Sequence, residues 1–268
     1  MSAKNFLGQV GQEIANWGKR WILAPLNEAG QTVFLCIETI LHGRSLWEKK
    51  DEFFRQLRIC AIGGLPVTTL VAAFSGMIFA YQVALGLKEL ALERMVGILV
   101  MQGMCRETAP VMTGITLSGL IASRMAAEIG AMRVSEELDA LEVMSISPVK
   151  YLIMPRVFAM ILAAPALTLL ADVAGIWAGG VITSMKFDVD PTLYYGEGRE
   201  YLQNKDIWGG LVKSGVFGVL VSVVGCRQGM RAAGGASGVG IATMRAVVIS
   251  SVFVVVLDLV LNMRIWPD

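Results

Sequence analysis

Five long apolar segments, separated by short charged ones, dominate the sequence. They run approximately over residues 59–87, 95–123, 157–185, 207–226 and 246–263. A helix needs about 20 residues to cross a hydrocarbon core about 30 Å thick. The pattern therefore predicts an all-α membrane protein with five transmembrane helices.

The first 58 residues follow a different pattern. Apolar side chains recur there at three- and four-residue spacing beside Lys19 and Arg20, at Phe6, Val10, Ile14, Trp17 and Trp21. This spacing is typical of an amphipathic helix that lies in the membrane interface. A helix packed on a soluble partner is the alternative interpretation. We therefore divide the chain into a cytoplasmic or interfacial segment, 1–58, and a transmembrane domain, 59–268.

A charged segment, Ala127 to Pro155, separates the second and third apolar segments. Its ionised side chains include Glu128, Arg133, Glu136, Glu137, Asp139 and Glu142. Each charge would cost several kcal/mol in hydrocarbon, so this segment cannot cross the membrane. We expect it to lie in water as a folded helix, presenting a surface that another protein binds.

Lysine and arginine are distributed unevenly between the two sides of the predicted membrane. With the N-terminus inside, the segments 1–58, 124–156 and 227–245 hold fifteen of them, and the outer segments hold six. Basic residues are enriched in cytoplasmic loops. We therefore expect the N-terminus and the charged segment to be cytoplasmic and the C-terminus to lie outside. Trp208 and Trp266 then fall at the outer interface.

Four ionisable residues inside the predicted spans are expected at a similar depth: Arg106, Glu107, Lys213 and Asp258. Counted at 1.5 Å per residue, all four fall in roughly the outer half of the bilayer. Two positive and two negative groups can neutralise one another, and such groups usually face a bundle interior or a wet cavity. The cluster is either a polar network along a substrate path or a set of structural ion pairs. Asp172 lies nearer the midplane without an obvious basic partner.

The composition is typical of a membrane protein, and the motifs that would indicate a catalytic site are missing. Hydrophobic residues make up 55% of the chain and charged residues 17%, whereas a soluble domain has about a quarter charged. The net charge of +1 argues against binding nucleic acid. Four scattered cysteines and a single histidine argue for buried apolar cysteines and against a metal site or a disulfide framework. Hydrolase and metalloprotease motifs are missing, so energy for any work must come from another subunit.

The sequence contains two glycine patterns, one of which predicts helix packing and the other a turn. Gly175 and Gly179 form a GxxxG pattern, which lets membrane helices approach closely and indicates a packed bundle or a dimer. The glycine-rich segment 225–240 suggests a phosphate-binding loop at first sight, but it lacks the lysine and hydroxyl that end such a loop. We expect it to be a flexible cytoplasmic turn between the fourth and fifth spans.

Several motifs resemble those of one family. Arg106 to Val111 reads RETAPV and resembles the RE-x-[GA]-PV signature of MlaE-type permeases, the membrane subunits of MCE-associated ABC lipid transporters. Ala127 to Arg133 reads AEIGAMR and is similar to that family's AEIG-x-MR segment. Further similar stretches are Glu136 to Met144, Gly175 to Trp177, Lys213-Ser214, Gly238 to Val248 and Leu257-Asp258. The resemblance covers roughly Ile59 to Leu261.

This resemblance implies the permease subunit of an ATP-driven transporter. Such a complex moves phospholipid between the bacterial inner membrane and a periplasmic MCE-protein assembly. The permease has no catalytic site, and ATP and Mg are bound by separate ABC ATPase subunits. The implied partners are these ATPases, an MCE-domain protein, a second permease copy in a homodimer and a small STAS-type cytoplasmic subunit, with no nucleic acid. The C-terminus would be periplasmic.

The resemblance also implies roles for particular residues. A cytoplasmic coupling helix at about 128–144 would dock on the ATPase through Glu128, Met132, Arg133, Glu136, Glu137, Asp139 and Leu141. The family's polar network corresponds to Arg106, Glu107, Lys213 and Asp258. A lipid cavity lined mainly by the first span would include Gly76, Met77, Phe79, Tyr81 and Gln82.

Two other functions remain as alternatives. In an ion-coupled secondary transporter, Glu107 and Asp258 would relay protons. The odd number of spans, the lack of an inverted repeat and the charged cytoplasmic helix argue against it. A structural anchor for a periplasmic assembly would not depend on a cavity-facing first span.

Overall fold

A computed structural model describes residues 30, 32, 34–39, 49–90 and 92–267, and this part of the chain is helical without a strand. Among the described residues from 50 onwards, nine α-helices follow one another: α1 (Lys50–Lys88), α2 (Val96–Gly103), α3 (Ala109–Leu117), α4 (Ser123–Val134), α5 (Glu137–Val143), α6 (Met154–Phe187), α7 (Pro191–Tyr201), α8 (Asn204–Met230) and α9 (Gly235–Ile265). The predicted interfacial helix with Phe6 to Trp21 lies outside the described residues.

Four helical segments have the length and hydropathy to cross a membrane. They are α1, α6 together with the π turn before it (Val149–Phe187), α8 and α9. Each contains one of the predicted spans, 59–87, 157–185, 207–226 and 246–263, so the prediction of an all-α membrane protein is confirmed. The proposed boundary at residue 58 falls inside α1, because this helix already begins at Lys50.

The second predicted span, 95–123, is helical throughout but is interrupted by π turns. These turns, Met104–Thr108 and Ser118–Ala122, separate α2, α3 and α4. A π turn carries one residue more than an α-helical turn and often marks a functional site. Since α2 and α3 have eight and nine residues, neither could cross a membrane alone. The count of five spans therefore stays a prediction.

Small side chains let α1 and α6 pack along each other at close range. Every fourth residue of α1 is buried, in the row Gln56, Cys60, Gly64, Thr68, Ala72, Gly76, Ala80 and Ala84. The GxxxG pattern of α6 meets this row: a Cβ on Gly76 would lie 2.3 Å from the carbonyl oxygen of Gly175. Because lipid tails are as apolar as the helices, such backbone proximity is a main source of helix association in membranes. Gly175 therefore serves packing within the chain.

The glycine-rich segment 225–240 is mostly helical, so the prediction of a flexible turn is wrong. Only residues 231–234 lie between α8 and α9. Gly225 and Gly229 face the preceding π turn and α4, where an added Cβ would lie 2.8 and 2.9 Å from a carbonyl oxygen. Glycine is needed here because the backbones touch. α8 is accordingly the most enclosed of the four membrane-length helices.

Small polar side chains inside the spans form hydrogen bonds within their own helices. Thr68 Oγ1 donates to the carbonyl oxygen of Gly64 at 2.8 Å, and Ser222 Oγ donates to that of Gly218 at 2.8 Å. A hydroxyl in hydrocarbon has no water to bond, so the carbonyl one turn earlier satisfies it. The cysteines of the spans, Cys60, Cys105 and Cys226, are buried as predicted, whereas Cys36 is partly exposed.

Gly76→Ala is expected to destabilise the protein, because the new Cβ would overlap backbone atoms of α6 that cannot move aside. Overpacking of this kind costs about 1–3 kcal/mol. The measurement is the apparent melting temperature in detergent, followed by size-exclusion chromatography after heating. Gly63→Ala is the control, since its Cβ would meet no atom within 4 Å on the same helix. Equal melting temperatures would contradict the close contact.

Candidate functional site

Arg106 and Glu107 lie in the π turn Met104–Thr108. The bulge of this turn fits against α8 because residue 210 is glycine: a Cβ there would lie 2.1 Å from the carbonyl oxygen of Cys105. Pro110 follows the turn and has no N–H to donate to the carbonyl of Arg106 four residues earlier. That carbonyl oxygen is therefore left to accept a hydrogen bond from another helix.

Lys213 of α8 donates this hydrogen bond and lies at the centre of a network. Its Nζ is 2.9 Å from the carbonyl oxygen of Arg106 and 2.9 Å from Asn262 Oδ1. Two carboxylates are also close, with Asp258 Oδ1 at 2.6 Å and Glu107 Oε2 at 3.2 Å. The Lys213 side chain is fully buried. A buried ammonium group is tolerated only when such partners surround it.

The side chain of Arg106 pairs with a different acid, Asp206. Arg106 Nε lies 2.8 Å from Asp206 Oδ1, and the Asp206 side chain is fully buried. The second carboxylate oxygen accepts a hydrogen bond from the backbone N–H of Gln203 at 3.1 Å and completes a capping box at the start of α8. Residue 106 thus joins two ion-pair groups, through its side chain to Asp206 and through its carbonyl to Lys213.

Sequence reasoning grouped four residues that the structure also brings into one cluster, Arg106, Glu107, Lys213 and Asp258. It missed Asp206 and Asn262. Asp206 lies one residue outside the predicted span 207–226, so a count of charges within the spans does not include it. Asn262 is uncharged, but it follows Asp258 by four residues on α9 and therefore shares its helix face. That spacing was the signal that could have revealed it.

An open cavity of about 590 Å³ lies beside this network. Apolar and polar side chains line it: Leu99, Met263 and Trp266, and Gln102, Arg106, Glu107 and Asn262. The side chains of Arg106 and Glu107 are 35% and 43% exposed, whereas Lys213 is sealed off from solvent. The Trp266 ring lies 5.7 Å from the Arg106 guanidinium, within cation–π range. An apolar wall next to opposite charges suits an amphipathic ligand.

The five residues of α1 that were predicted to line a lipid cavity are spread around the helix. Gly76 is buried against α6, so it is not open to a ligand. The Phe79 ring packs on Gly103, which belongs to the cavity wall. The other three are half-buried or exposed: Met77, Tyr81 and Gln82. The structure therefore places Phe79, and not Gly76, next to the cavity.

The charged segment contains two helices, so the prediction of one continuous helix over 128–144 is wrong. α4 ends at Val134 and α5 begins at Glu137. Between them, Glu136 has a φ of 61°, in the left-handed region. A left-handed residue cannot continue a right-handed helix, so the chain changes direction there.

Several charges of this segment are paired within the chain. Glu128 contacts Arg124 at 2.9 Å and Arg156 at 3.2 Å, and the second contact connects α4 to α6. Arg133 pairs with Asp139 across the break between α4 and α5. The remaining predicted docking residues are half-buried or exposed: Met132, Leu141, Glu136 and Glu137. Glu128 and Asp139 thus stabilise the arrangement of the helices through ion pairs and also contribute negative charge to the surface of the segment.

Two exposed apolar side chains mark the end of α5. Leu138 is buried and holds α5 on the core, whereas Val143 is 87% exposed and Met144 60% exposed. Sequence reasoning missed Val143. Val143 and Met144 form a small exposed apolar patch beside the charged side chains of this segment.

Comparison with known proteins shows similarity to one family over most of the chain. The family model described as Permease MlaE matches residues 53–264. A Rickettsia felis protein named "Probable ABC transporter permease protein" is 38% identical over 202 residues, or 75% of this chain and 78% of that protein. "Probable ABC transporter permease protein slr1045" of Synechocystis sp. is 36% identical over 81% of this chain and 82% of its own length. "Protein TRIGALACTOSYLDIACYLGLYCEROL 1, chloroplastic" of Arabidopsis thaliana is 36% identical over 87% and 65%.

Lys213→Met is expected to lower the melting temperature, because it leaves the carboxylates of Asp258 and Glu107 without their shared cation. Removing one partner of a buried ion pair costs about 3–5 kcal/mol. The measurement is thermal stability in detergent, with Lys205→Met, an exposed lysine at the start of the same helix, as the control. The double variant Lys213→Met/Asp258→Leu should recover part of the loss. A Lys213→Met protein as stable as the control would contradict the network.

Proposed function

The chain belongs to the MlaE permease family, and we propose that it is the permease subunit of an ATP-driven ABC-type transporter of phospholipid. The observation that carries this proposal is the cavity of about 590 Å³ between α2, the following π turn and the end of α9, where apolar side chains lie beside Arg106 and Glu107. A phospholipid has matching chemistry, with apolar chains beside a charged headgroup. The name of the Arabidopsis relative refers to trigalactosyldiacylglycerol, a glycolipid, which supports a lipid substrate without specifying its headgroup.

We assign ATP hydrolysis, which supplies the energy for transport, to separate subunits. Relatives are named as ABC transporter permeases, and an ABC transporter includes ATPase subunits, which would bind ATP and Mg. We place their docking site on α4 and α5. The excess of basic residues in the segments 1–58, 124–156 and 227–245 supports a cytoplasmic position for these helices and the N-terminus. We place the chain in a bacterial inner membrane, with its C-terminus in the periplasm.

The assembly we propose contains two copies of this chain. The segment 95–123 is its fifth span, and the exposed apolar faces of α1 and α9 leave room for a second copy. On the outer side, a periplasmic MCE-domain protein would exchange phospholipid with the cavity. A small STAS-type subunit would accompany the ATPases in the cytoplasm.

The mechanism we propose is mechanical. Residues 96–134 form one continuous helical path from the outer cavity to the charged cytoplasmic segment. Arg106 and Arg133 are separated by 27 positions on this path, or about 40 Å at 1.5 Å per residue. Movement of α5 on closure of the ATPases would be passed along the path to Arg106 and Glu107. The cavity would then open or collapse around a lipid.

Val143→Asp combined with Met144→Asp is expected to abolish co-purification of the ATPase subunits, because charges would occupy an apolar contact that closure of the interface dehydrates. Neither side chain is buried, so the variant should insert and fold normally. Leu90→Asp with Leu92→Asp is the matched control, since both leucines are exposed in the predicted outer segment. Undiminished recovery of the ATPase with the Val143/Met144 variant would exclude this docking surface.

Asp258→Asn is expected to reduce ATP-dependent phospholipid transfer at least tenfold while ATP hydrolysis continues, because the charge balance around Lys213 is changed at nearly constant volume. The measurement is transfer of labelled phospholipid from liposomes that contain the permease and its ATPase. Asp190→Asn, an exposed acid before α7, is the control. Normal transfer by Asp258→Asn would reduce the network to a scaffold.

The same liposomes distinguish the ion-coupled alternative, which the two carboxylates on Lys213 keep open. Transfer that requires a proton gradient and proceeds without ATP would support a secondary transporter and overturn the ATP-driven function. Transfer that requires ATP and is indifferent to the gradient is the result we expect.

A further inference from the structure

The ionised side chains beside the cavity of about 590 Å³ carry one more negative charge than positive charge. Arg106 and Asp206 form an ion pair and neutralise each other. Lys213 is the cation for two carboxylates, Asp258 at 2.6 Å and Glu107 at 3.2 Å. These two acids also repel each other. Since one ammonium group cannot neutralise both, a second cation beside them is favoured.

Glu107 is the carboxylate through which this excess charge faces the cavity. Its side chain is 43% exposed and lines the cavity wall, whereas Asp258 is 14% exposed and lies closer to Lys213. Lys213 itself is sealed off from solvent. A further positive group can therefore reach the network only from the cavity side, where it meets Glu107 first.

Two hydrogen-bond donors of the cavity wall fit a phosphate. Arg106 uses Nε to bind Asp206, and its terminal nitrogens form no hydrogen bond within the described part of the chain. Asn262 accepts from Lys213 through Oδ1 at 2.9 Å, so its amide nitrogen is the end left to donate. Both side chains line the cavity. Guanidinium donors are well suited to phosphate oxygens.

Two acceptors of the same wall fit a primary ammonium group. One is the carboxylate of Glu107. The other is Gln102, whose Nε2 donates to the carbonyl oxygen of Tyr201 at 3.2 Å, which leaves its Oε1 to accept. A quaternary ammonium has no N–H to donate and relies on aromatic faces. The nearby Trp266 ring already has the charged groups of Arg106 and Lys213 within 6 Å of its centre.

Resting on the proposed function, we propose that this cavity selects phospholipids whose headgroup carries a primary ammonium beside the phosphate, such as phosphatidylethanolamine. The phosphate accepts hydrogen bonds from Arg106 and Asn262, and the ammonium donates to Glu107 and Gln102. Glu107 is the residue that determines this specificity. An anionic headgroup such as that of phosphatidylglycerol would add to the excess negative charge, whereas the ammonium neutralises it.

The test is native mass spectrometry of the purified full chain in detergent. Phosphatidylethanolamine, phosphatidylglycerol and phosphatidylcholine with identical acyl chains are supplied at equal concentrations. We expect phosphatidylethanolamine to be retained about tenfold more than either of the others, the usual effect of one charge-assisted hydrogen bond. This comparison needs no variant, so it does not depend on the folding of a mutant protein.

Glu107→Gln is expected to remove most of the preference over phosphatidylglycerol, because Lys213 and Asp258 then neutralise each other without a headgroup. The substitution changes the side-chain volume very little. Glu107→Asp keeps the charge and should keep the preference. Glu93→Gln is the matched control, since Glu93 is an exposed acid just before α2 that does not line the cavity. It should leave the ratio of retained lipids unchanged.

Equal retention of the three lipids by the unmodified protein would overturn the headgroup selection and leave the proposed transport of phospholipid standing. Preferred retention of phosphatidylcholine would assign the ammonium to the Trp266 ring and overturn the proposal too. An unchanged preference in Glu107→Gln would show that the excess charge is already neutralised inside the network, for instance by a proton shared between carboxylates, and would overturn the role of Glu107. Failure to retain any phospholipid would contradict the proposed function as well, so the two failures are distinguishable.

Discussion

The buried ammonium group of Lys213 is the constraint that the surrounding helices must satisfy. An unpaired charge in a dry bundle would be expelled or neutralised, and here three other side chains and one carbonyl oxygen surround it. They come from α9 and from the π turn between α2 and α3. The arrangement exists only if α8, α9 and this turn keep their relative depth. A single charge therefore fixes the register of three helical segments. The Arg106 carbonyl oxygen contributes to this, because Pro110 has no N–H to donate to it and Lys213 donates instead.

Glycine contacts determine how closely these segments approach. Gly210 lets the bulge of the π turn fit against α8, and Gly76 and Gly175 bring α1 and α6 into backbone contact. Neither contact carries charge or sequence-specific hydrogen bonds. Small residues thus set the distances between helices, whereas ion pairs set their register. The cavity beside Arg106 depends on both kinds of contact. Its polar lining includes Arg106 and Glu107, the exposed members of the network, and buried Lys213 contacts both residues.

The membrane helices and most of the polar network could be predicted from the sequence, because apolar length and a charge inside an apolar run are local signals. The membership of Asp206 could not, since whether a charge at a helix start is buried depends on what packs over it. The break between α4 and α5 at Glu136 could not be predicted either. A left-handed backbone conformation is usually signalled by glycine, and here the residue is glutamate. The segment 225–240 was misread for the opposite reason: glycine marks both turns and close helix contacts, and only the neighbouring α4 decides between them.

The helical path over residues 96–134 connects the features that function needs. Its first part carries Arg106 and Glu107 in a π turn, and its last part is α4, which Glu128 holds to Arg156 on α6. Because a π turn holds one extra residue, its conversion to α-helix would rotate the segment beyond it by about 100°. In the proposed mechanism, the two π turns are the positions at which movement of α4 would alter the contacts of Glu107 without melting the helix.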